Sequence, residues 1–70
     1  MGIKVKDLQQ GLKRLGFVRV KKKGGHARWK HIDGRATSVP DHGSNEIGGG
    51  LFKKILIDID ISENQFKELL

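Results

Sequence analysis

The apolar residues of the first fifteen positions recur at the spacing of one helix face. They are Val5, Leu8, Leu12 and Leu15. Gly16 follows where a left-handed C-terminal cap is expected. Gly11 lies inside the segment, where a glycine costs about 1 kcal/mol relative to alanine. The pattern predicts an amphipathic helix that ends near residue 15.

The next segment alternates between apolar and basic residues on both sides of Gly24-Gly25. Two glycines are a favoured two-residue hairpin connection, because both tolerate positive φ. In the register that this turn sets, the facing pairs are Lys23 with His26, Lys21 with Arg28, and Arg19 with Lys30. These six side chains then share one face of the hairpin. The opposite face carries the residues that can lie on a core, namely Val18, Val20, Ala27 and Trp29.

The loop after this hairpin decides how a third strand pairs. A two-residue turn at Asp33-Gly34 would place Val39 on the basic face. A three-residue loop, with Gly34 in the left-handed bulge position, keeps the apolar face intact, and we predict this register. It pairs Thr37 with Trp29 and Val39 with Ala27. Pro40 lacks an N–H group and ends the strand.

Residues 41–50 include four glycines and predict a mobile loop. A second helix follows, because apolar residues again recur at helical spacing at Phe52, Ile55, Leu56 and Ile59. Ser62 and Gln65 form the capping box of a short last helix. The apolar residues with which that helix can cover the core are Phe66, Leu69 and Leu70.

These elements predict one α+β domain over residues 1–70. The order is a helix, three antiparallel strands, a helix and a short C-terminal helical extension. This α-β-β-β-α layout, with its three-stranded antiparallel sheet, is that of the double-stranded-RNA-binding-like fold. Seventy residues leave room for one small core and for no second module.

The whole chain has a formal net charge of +6. Its positive charge is concentrated in the first half of the sequence. Residues 1–35 hold eleven Lys and Arg against two acidic residues. Like charges that face one another across a sheet are destabilising, so a basic hairpin face favours a polyanionic partner. Nucleic acid, anionic lipid and an acidic protein all satisfy this condition. For nucleic acid, the predicted phosphate contacts are Arg19, Lys21, Lys23, Arg28 and Lys30.

Several classes of chemistry are disfavoured by composition. The chain has no cysteine, which excludes disulfides, thiol catalysis and cysteine-based zinc sites. Its three histidines show neither an i, i+4 pair nor a nearby set of carboxylate ligands, so we expect no metal and no other cofactor. No secretory segment or membrane-spanning apolar run is present, and we expect a cytoplasmic protein that does not contact membranes.

The histidines are the candidates for proton transfer, because an imidazole can take or give a proton near neutral pH. His26 follows the Gly-Gly turn among basic residues that can stabilise a phosphate. Judged by position alone, an exposed histidine beside a turn is the commoner interpretation. His31 falls on the apolar side at a strand end and is predicted to be packed. His42 lies near the glycine-rich loop, and a turn-stabilising role is at least as well supported for it.

An ordered set of short motifs resembles the HicA-type toxins, the messenger-RNA-cleaving half of the bacterial HicA–HicB toxin–antitoxin pairs. The motifs are Leu15-Gly16-Phe17, Lys23-Gly24-Gly25-His26, His31-Ile32-Asp33-Gly34-Arg35, Val39-Pro40-Asp41-His42, Glu46-Ile47, Gly50 with Lys53-Lys54-Ile55-Leu56, and Ile61-Ser62 with Phe66. Each motif alone is weak, whereas the ordered set is specific.

The resemblance implies a metal-independent endoribonuclease in which His26 is the catalytic general acid or base. In that family the catalytic histidine follows this turn, although Gly25 stands where many relatives have serine. The second proton-transfer group could be Lys23, Arg28 or water. The resemblance also implies a HicB-type antitoxin that binds the basic face and blocks His26.

Two other functions fit the sequence. A non-catalytic double-stranded-RNA-binding module would grip phosphates with the same basic hairpin. Such modules commonly place key lysines at a helix N-terminus, where this chain has Gly48-Gly49-Gly50, and that favours the enzyme. A degenerate toxin that only binds its partner is the third possibility.

Overall fold

The computed structural model describes residues 2–40 and 46–70, with the backbone alone at residues 21–23. Within those ranges the elements are β1 (Ile3–Lys4), α1 (Val5–Leu15), β2 (Val18–Lys23), β3 (His26–Lys30), β4 (Ala36–Pro40), β5 (Glu46–Ile47), α2 (Gly49–Ile59) and α3 (Glu63–Lys67). An antiparallel sheet has the order β2-β3-β4, with β3 in its centre. The predicted α-β-β-β-α order is therefore confirmed. The short β1–β5 pair was not predicted, since two residues are too few to show a period of two.

The helices cover one face of the sheet and enclose the core. Among the described residues, its apolar side chains are Ile3, Val5, Leu8, Leu12, Phe17, Ala27, Trp29, Val39, Ile47, Phe52, Ile55, Leu56, Ile59 and Phe66. The predicted buried faces of α1 and α2 are confirmed, with Leu15 packed at the margin. Ser62 and Gln65 form the predicted capping box. Leu70 is half exposed, so the expectation that it covers the core is wrong.

Gly11 lies where α3 packs against α1. A Cβ atom at this position would lie 2.3 Å from Cζ of Phe66, well inside the van der Waals distance. Phe66 is fully buried and packs edge-to-face on Phe52, with ring centroids 5.7 Å apart. The helix-weakening glycine is therefore explained by the close approach of an aromatic ring.

The loop between β3 and β4 has the predicted form. Gly34 takes a left-handed φ of 102°, and the N–H group of His31 donates to the Arg35 carbonyl oxygen over 2.8 Å. The resulting register pairs Trp29 with Thr37 and Ala27 with Val39. Pro40 is the last residue of β4, also as predicted.

The first hairpin departs from the predicted register at its far end. The pairs Lys23–His26 and Lys21–Arg28 are confirmed, but a β-bulge lies between Arg19 and Lys21. Arg19 consequently faces Trp29 instead of Lys30, and Val18 faces Lys30. A one-residue slip moves every side chain beyond it to the other face. Val18 and Val20 are therefore 59% and 51% exposed, and their predicted place on the core face is wrong.

The glycine-rich segment is more regular than predicted. Residues 41–45 lie outside the described residues, but residues 46–47 form β5 and pair with β1. Gly48 is the N-cap of α2, and Gly49 and Gly50 lie in its first turn. The prediction of a mobile loop is thus wrong for residues 46–50. None of the helices in the described ranges is long and apolar enough to cross a membrane.

Candidate active site and nucleic-acid interface

His26 begins the central strand at the end of the first hairpin. Gly24 in the preceding turn has a φ of 60°, which glycine adopts without steric strain. Along β3 the exposed residues His26, Arg28 and Lys30 alternate with the buried Ala27 and Trp29. The three polar side chains therefore share the face of the sheet that lies away from the helices, as predicted. We call this the outer face.

Arg28 is held in place by a residue that sequence reasoning missed. Its Nη1 group donates a hydrogen bond to Oγ of Ser38 over 3.1 Å, and the two residues face one another in the β3–β4 register. A signal for this contact was present, because pairing Thr37 with Trp29 and Val39 with Ala27 already places Ser38 opposite Arg28. The bond fixes a planar, always charged guanidinium two residues from His26.

The remaining predicted residues of the basic face have different outcomes. The backbone register places Lys21 opposite Arg28 and Lys23 opposite His26, while their side chains lie outside the described residues. Arg19 is moved by the bulge to a position opposite Trp29, so its predicted place on the outer face is wrong. Its contact with RNA stays a prediction. His42 also lies outside the described residues.

His31 is a packed histidine, as predicted. Its side chain is 17% exposed, and its ring lies edge-to-face on Phe17 at a centroid distance of 5.0 Å. Nε2 lies 3.1 Å from the carbonyl oxygen of Leu15, and Nδ1 accepts a bond of 3.1 Å from the N–H group of Asp33. Nδ1 also lies 3.1 Å from Oδ1 of the Asp33 carboxylate, so both ring nitrogens have polar partners. The ring thereby joins the end of α1 to the β3–β4 loop.

The Asp33–Arg35 pair completes that loop. The Asp33 carboxylate accepts bonds from the backbone N–H and from Nε of Arg35, over 3.0 and 2.8 Å. The backbone bond is the chief reason why the pKa of Asp33 is lowered, and the Arg35 guanidinium adds to the effect. Nη1 of Arg35 also donates to the carbonyl oxygen of Ile59 at the end of α2. These contacts are structural, and they join the loop to the end of α2.

Across residues 2–40 and 46–70, no three histidine, aspartate or glutamate side chains are placed to share a metal ion.

The sequence also matches a family model described as the HicA toxin of bacterial toxin–antitoxin systems, over residues 5–61. The chain belongs to the HicA toxin family. The matched range begins with α1 and ends just after α2, so it contains His26, Arg28 and the whole three-stranded sheet. As a HicA toxin, the protein is one half of a toxin–antitoxin system and has an antitoxin as its partner. No curated protein matches the sequence.

Proposed function

We propose that this HicA toxin is an endoribonuclease that cleaves messenger RNA, with His26 as its general acid or base and no metal ion. The observation that carries the proposal is the exposed His26 on an open sheet face beside an anchored guanidinium. An exposed imidazole can reach a phosphodiester of an extended RNA strand. The packed His31 cannot, because both of its ring nitrogens are engaged.

The chemistry uses a nucleophile that RNA itself carries. The 2′-oxygen attacks the adjacent phosphorus, a P–O2′ bond forms and the P–O5′ bond breaks. The products are a 2′,3′-cyclic phosphate and a 5′-hydroxyl end. As a base, His26 takes the 2′-hydroxyl proton; as an acid, it protonates the leaving 5′-oxygen.

Arg28 serves this reaction electrostatically. A guanidinium is not deprotonated in proteins, so Arg28 cannot act as the base. Held by Ser38, it can instead donate hydrogen bonds to the phosphate oxygens, whose negative charge increases in the transition state. The second proton-transfer group is then Lys23 or water.

The basic residues of the hairpin provide the phosphate contacts. Arg28 and Lys30 are exposed on the outer face, and the backbone register brings Lys21 and Lys23 alongside them. The first turn of α2 begins with Gly49-Gly50 and carries no lysine or arginine. A double-stranded-RNA-binding module commonly places its lysines there, so the arrangement favours the ribonuclease.

The same face is where an antitoxin would act. An acidic HicB-like protein laid over Arg28, Lys30 and the segment around His42 would occlude His26. Attraction between the opposite charges would make association fast and salt-sensitive. Inhibition and recognition would then use the same cations.

Analysis of the cleavage products tests the proposed function. The purified protein should cut single-stranded RNA in the presence of EDTA and leave 2′,3′-cyclic phosphate and 5′-hydroxyl ends. RNA in which every 2′-hydroxyl is methylated should bind and remain intact. Binding of unmodified RNA without cleavage would instead identify a binding module. Cleavage that EDTA abolishes would contradict the metal-independent chemistry.

A further inference from the structure

A groove opens between α1 and β2, on the helix side of the sheet. Its volume is about 550 Å³, within the range of roughly 300–1,000 Å³ that is usual for small-molecule sites. The residues that line it are Gln9, Lys13, Phe17, Val18, Arg19 and Trp29. None of them has a place in the chemistry proposed for the outer face.

The β-bulge in β2 is what brings a cation to this groove. With a regular register, Arg19 would have faced Lys30 on the outer face; the bulge sets it opposite the buried Trp29. Bulges commonly re-aim a side chain near a functional site. Lys13 approaches from the last turn of α1, and Gln9 lies one helical turn earlier. Two elements therefore supply cations to the same groove.

The lining suits an anion attached to a flat apolar group. It contains two cations and an amide, and no carboxylate. Phe17 and Trp29 are 1% and 2% exposed, so they form a floor, while the exposed Val18 forms a rim. A groove of similar size between α2 and α3, about 580 Å³, carries two carboxylates, Asp60 and Glu63, against one cation, Lys53, and is less suited to a polyanion. The charge therefore distinguishes the α1–β2 groove.

Trp29 has a polar atom without a hydrogen-bond partner. Its Nε1–H group is buried and finds no acceptor in the described part of the chain. Buried donors without partners are uncommon in folded proteins. No contact among the described residues therefore accounts for this donor.

The groove and the outer face meet at the edge of the sheet. β2 is an edge strand, and Val18 pairs with Lys30 of the outer face while also lining the groove. An RNA strand that passes Lys30 therefore reaches the groove by crossing the edge at Val18.

We propose that the α1–β2 groove is a nucleotide subsite for single-stranded RNA. Arg19 and Lys13 hold the phosphate, Gln9 hydrogen-bonds the edge of the base, and the base lies against Val18 over the aromatic floor. This subsite rests on the proposed function, which identifies the bound polyanion as RNA. The proposal assigns to this site the binding of a nucleotide that lies apart from the one that is cut.

Trp29 is the single tryptophan of the chain, so its fluorescence reports directly on the groove. The probe is a short fully 2′-O-methylated RNA, which the proposed chemistry cannot cleave. Its binding should change the Trp29 emission with saturation. Arg19→Gln and Lys13→Gln should each reduce the magnitude of the negative slope of log affinity against log salt by about 0.7. Lys6→Gln removes a charge from an exposed position on α1 outside the groove and should bind as the wild type does.

Three results would overturn the subsite. The first is that Arg19→Gln binds the methylated RNA with the affinity and salt slope of Lys6→Gln. The second is that an abasic strand of the same length changes the Trp29 emission as fully as the complete RNA. The third is that inorganic phosphate alone does so.

Cleavage kinetics separate this proposal from the proposed function. With unmodified RNA, Arg19→Gln should raise KM and leave kcat unchanged, because the groove lies apart from the reacting phosphate. Cleavage with an unaltered KM in Arg19→Gln would overturn the subsite and leave the ribonuclease standing. Absence of cleavage, with Arg19-dependent binding of the methylated RNA, would overturn the ribonuclease and support the subsite.

Discussion

Two histidines illustrate how surroundings decide what a residue can do. His26 is exposed on the sheet face away from the helices, with positive charge beside it. His31 bridges the end of α1 and the β3–β4 loop, and both ring nitrogens have partners. The alternation of β3 was enough to predict this contrast. Ser38 was missed because a lone serine has no signal of its own, and its importance follows only from the cross-strand pair with Arg28.

Replacing Ser38 tests the anchoring of Arg28. Ser38→Ala removes the acceptor of the guanidinium bond, and we expect cleavage at saturating RNA to slow by roughly 2- to 10-fold, the equivalent of one modest hydrogen bond. KM should change less than kcat. Ser38→Thr keeps the hydroxyl and should restore the rate. Equal rates for the alanine variant and the wild type would show that the bond does not position Arg28 for catalysis.

The acid side of the stability curve tests the Asp33 contacts. The folded state holds the pKa of Asp33 below its ordinary value of 3.8, chiefly through the backbone N–H of Arg35. The resulting stabilisation is present above pH 3.8 and is lost as the pH falls through the lower, folded pKa. Asp33→Asn should therefore flatten part of the fall in unfolding free energy below about pH 4, as measured by urea denaturation at several pH values.

Glu63 provides the matched control for that experiment. The pKa of Glu63 is also lowered, chiefly by the hydrogen bond from Lys67. The contribution of Glu63 to the loss of unfolding free energy at low pH should therefore remain in the Asp33→Asn protein. An Asp33→Asn curve parallel to that of the wild type would contradict the role given to the loop.

At the level of elements, the sequence was sufficient to predict the features that follow a regular residue pattern. The faces of α1 and α2, the capping box and the β3–β4 register each follow from a period or a turn rule. The bulge in β2 could not be predicted, because an inserted residue leaves the alternation of Val18, Arg19 and Val20 unchanged. The helical start at Gly49-Gly50 was likewise hidden, because glycine composition favours a loop and the β1–β5 pair depends on residues distant in sequence.

Gly11→Ala tests the packing of α3 on α1. Propensity alone would make the change stabilising by about 1 kcal/mol. The new Cβ would instead meet the Phe66 ring at 2.3 Å, so we expect a net loss of about 1–3 kcal/mol in unfolding free energy. Gly50→Ala is the matched control, since among the described residues no atom outside the backbone of its own helix and its chain neighbours lies within 4 Å of its Cβ position. That variant should be as stable as the wild type or more stable. A stabilised Gly11→Ala protein would show that α3 does not close on α1 at this point.

At the scale of the whole molecule, the fold separates stability from function. The helices and their apolar contacts lie on one face of the sheet, whereas His26, Arg28 and Lys30 are exposed on the other. Outer-face side chains can therefore change with little effect on the core. Under the function that we propose, the same openness would expose His26 to RNA and to an antitoxin, and binding of one would exclude the other.

We propose that His26 performs proton transfer on this open face. The most direct test is the single-turnover rate of RNA cleavage at saturating protein, compared between the wild type and His26→Ala. Because the side chain is exposed, the variant should keep the thermal unfolding of the wild type, and Lys30→Ala serves as a control for lost charge on the same face. Loss of general acid–base catalysis should slow cleavage by about 10²- to 10⁴-fold in His26→Ala and far less in Lys30→Ala. A folded His26→Ala protein that cleaves RNA at the wild-type rate would show that His26 is not the proton-transfer group.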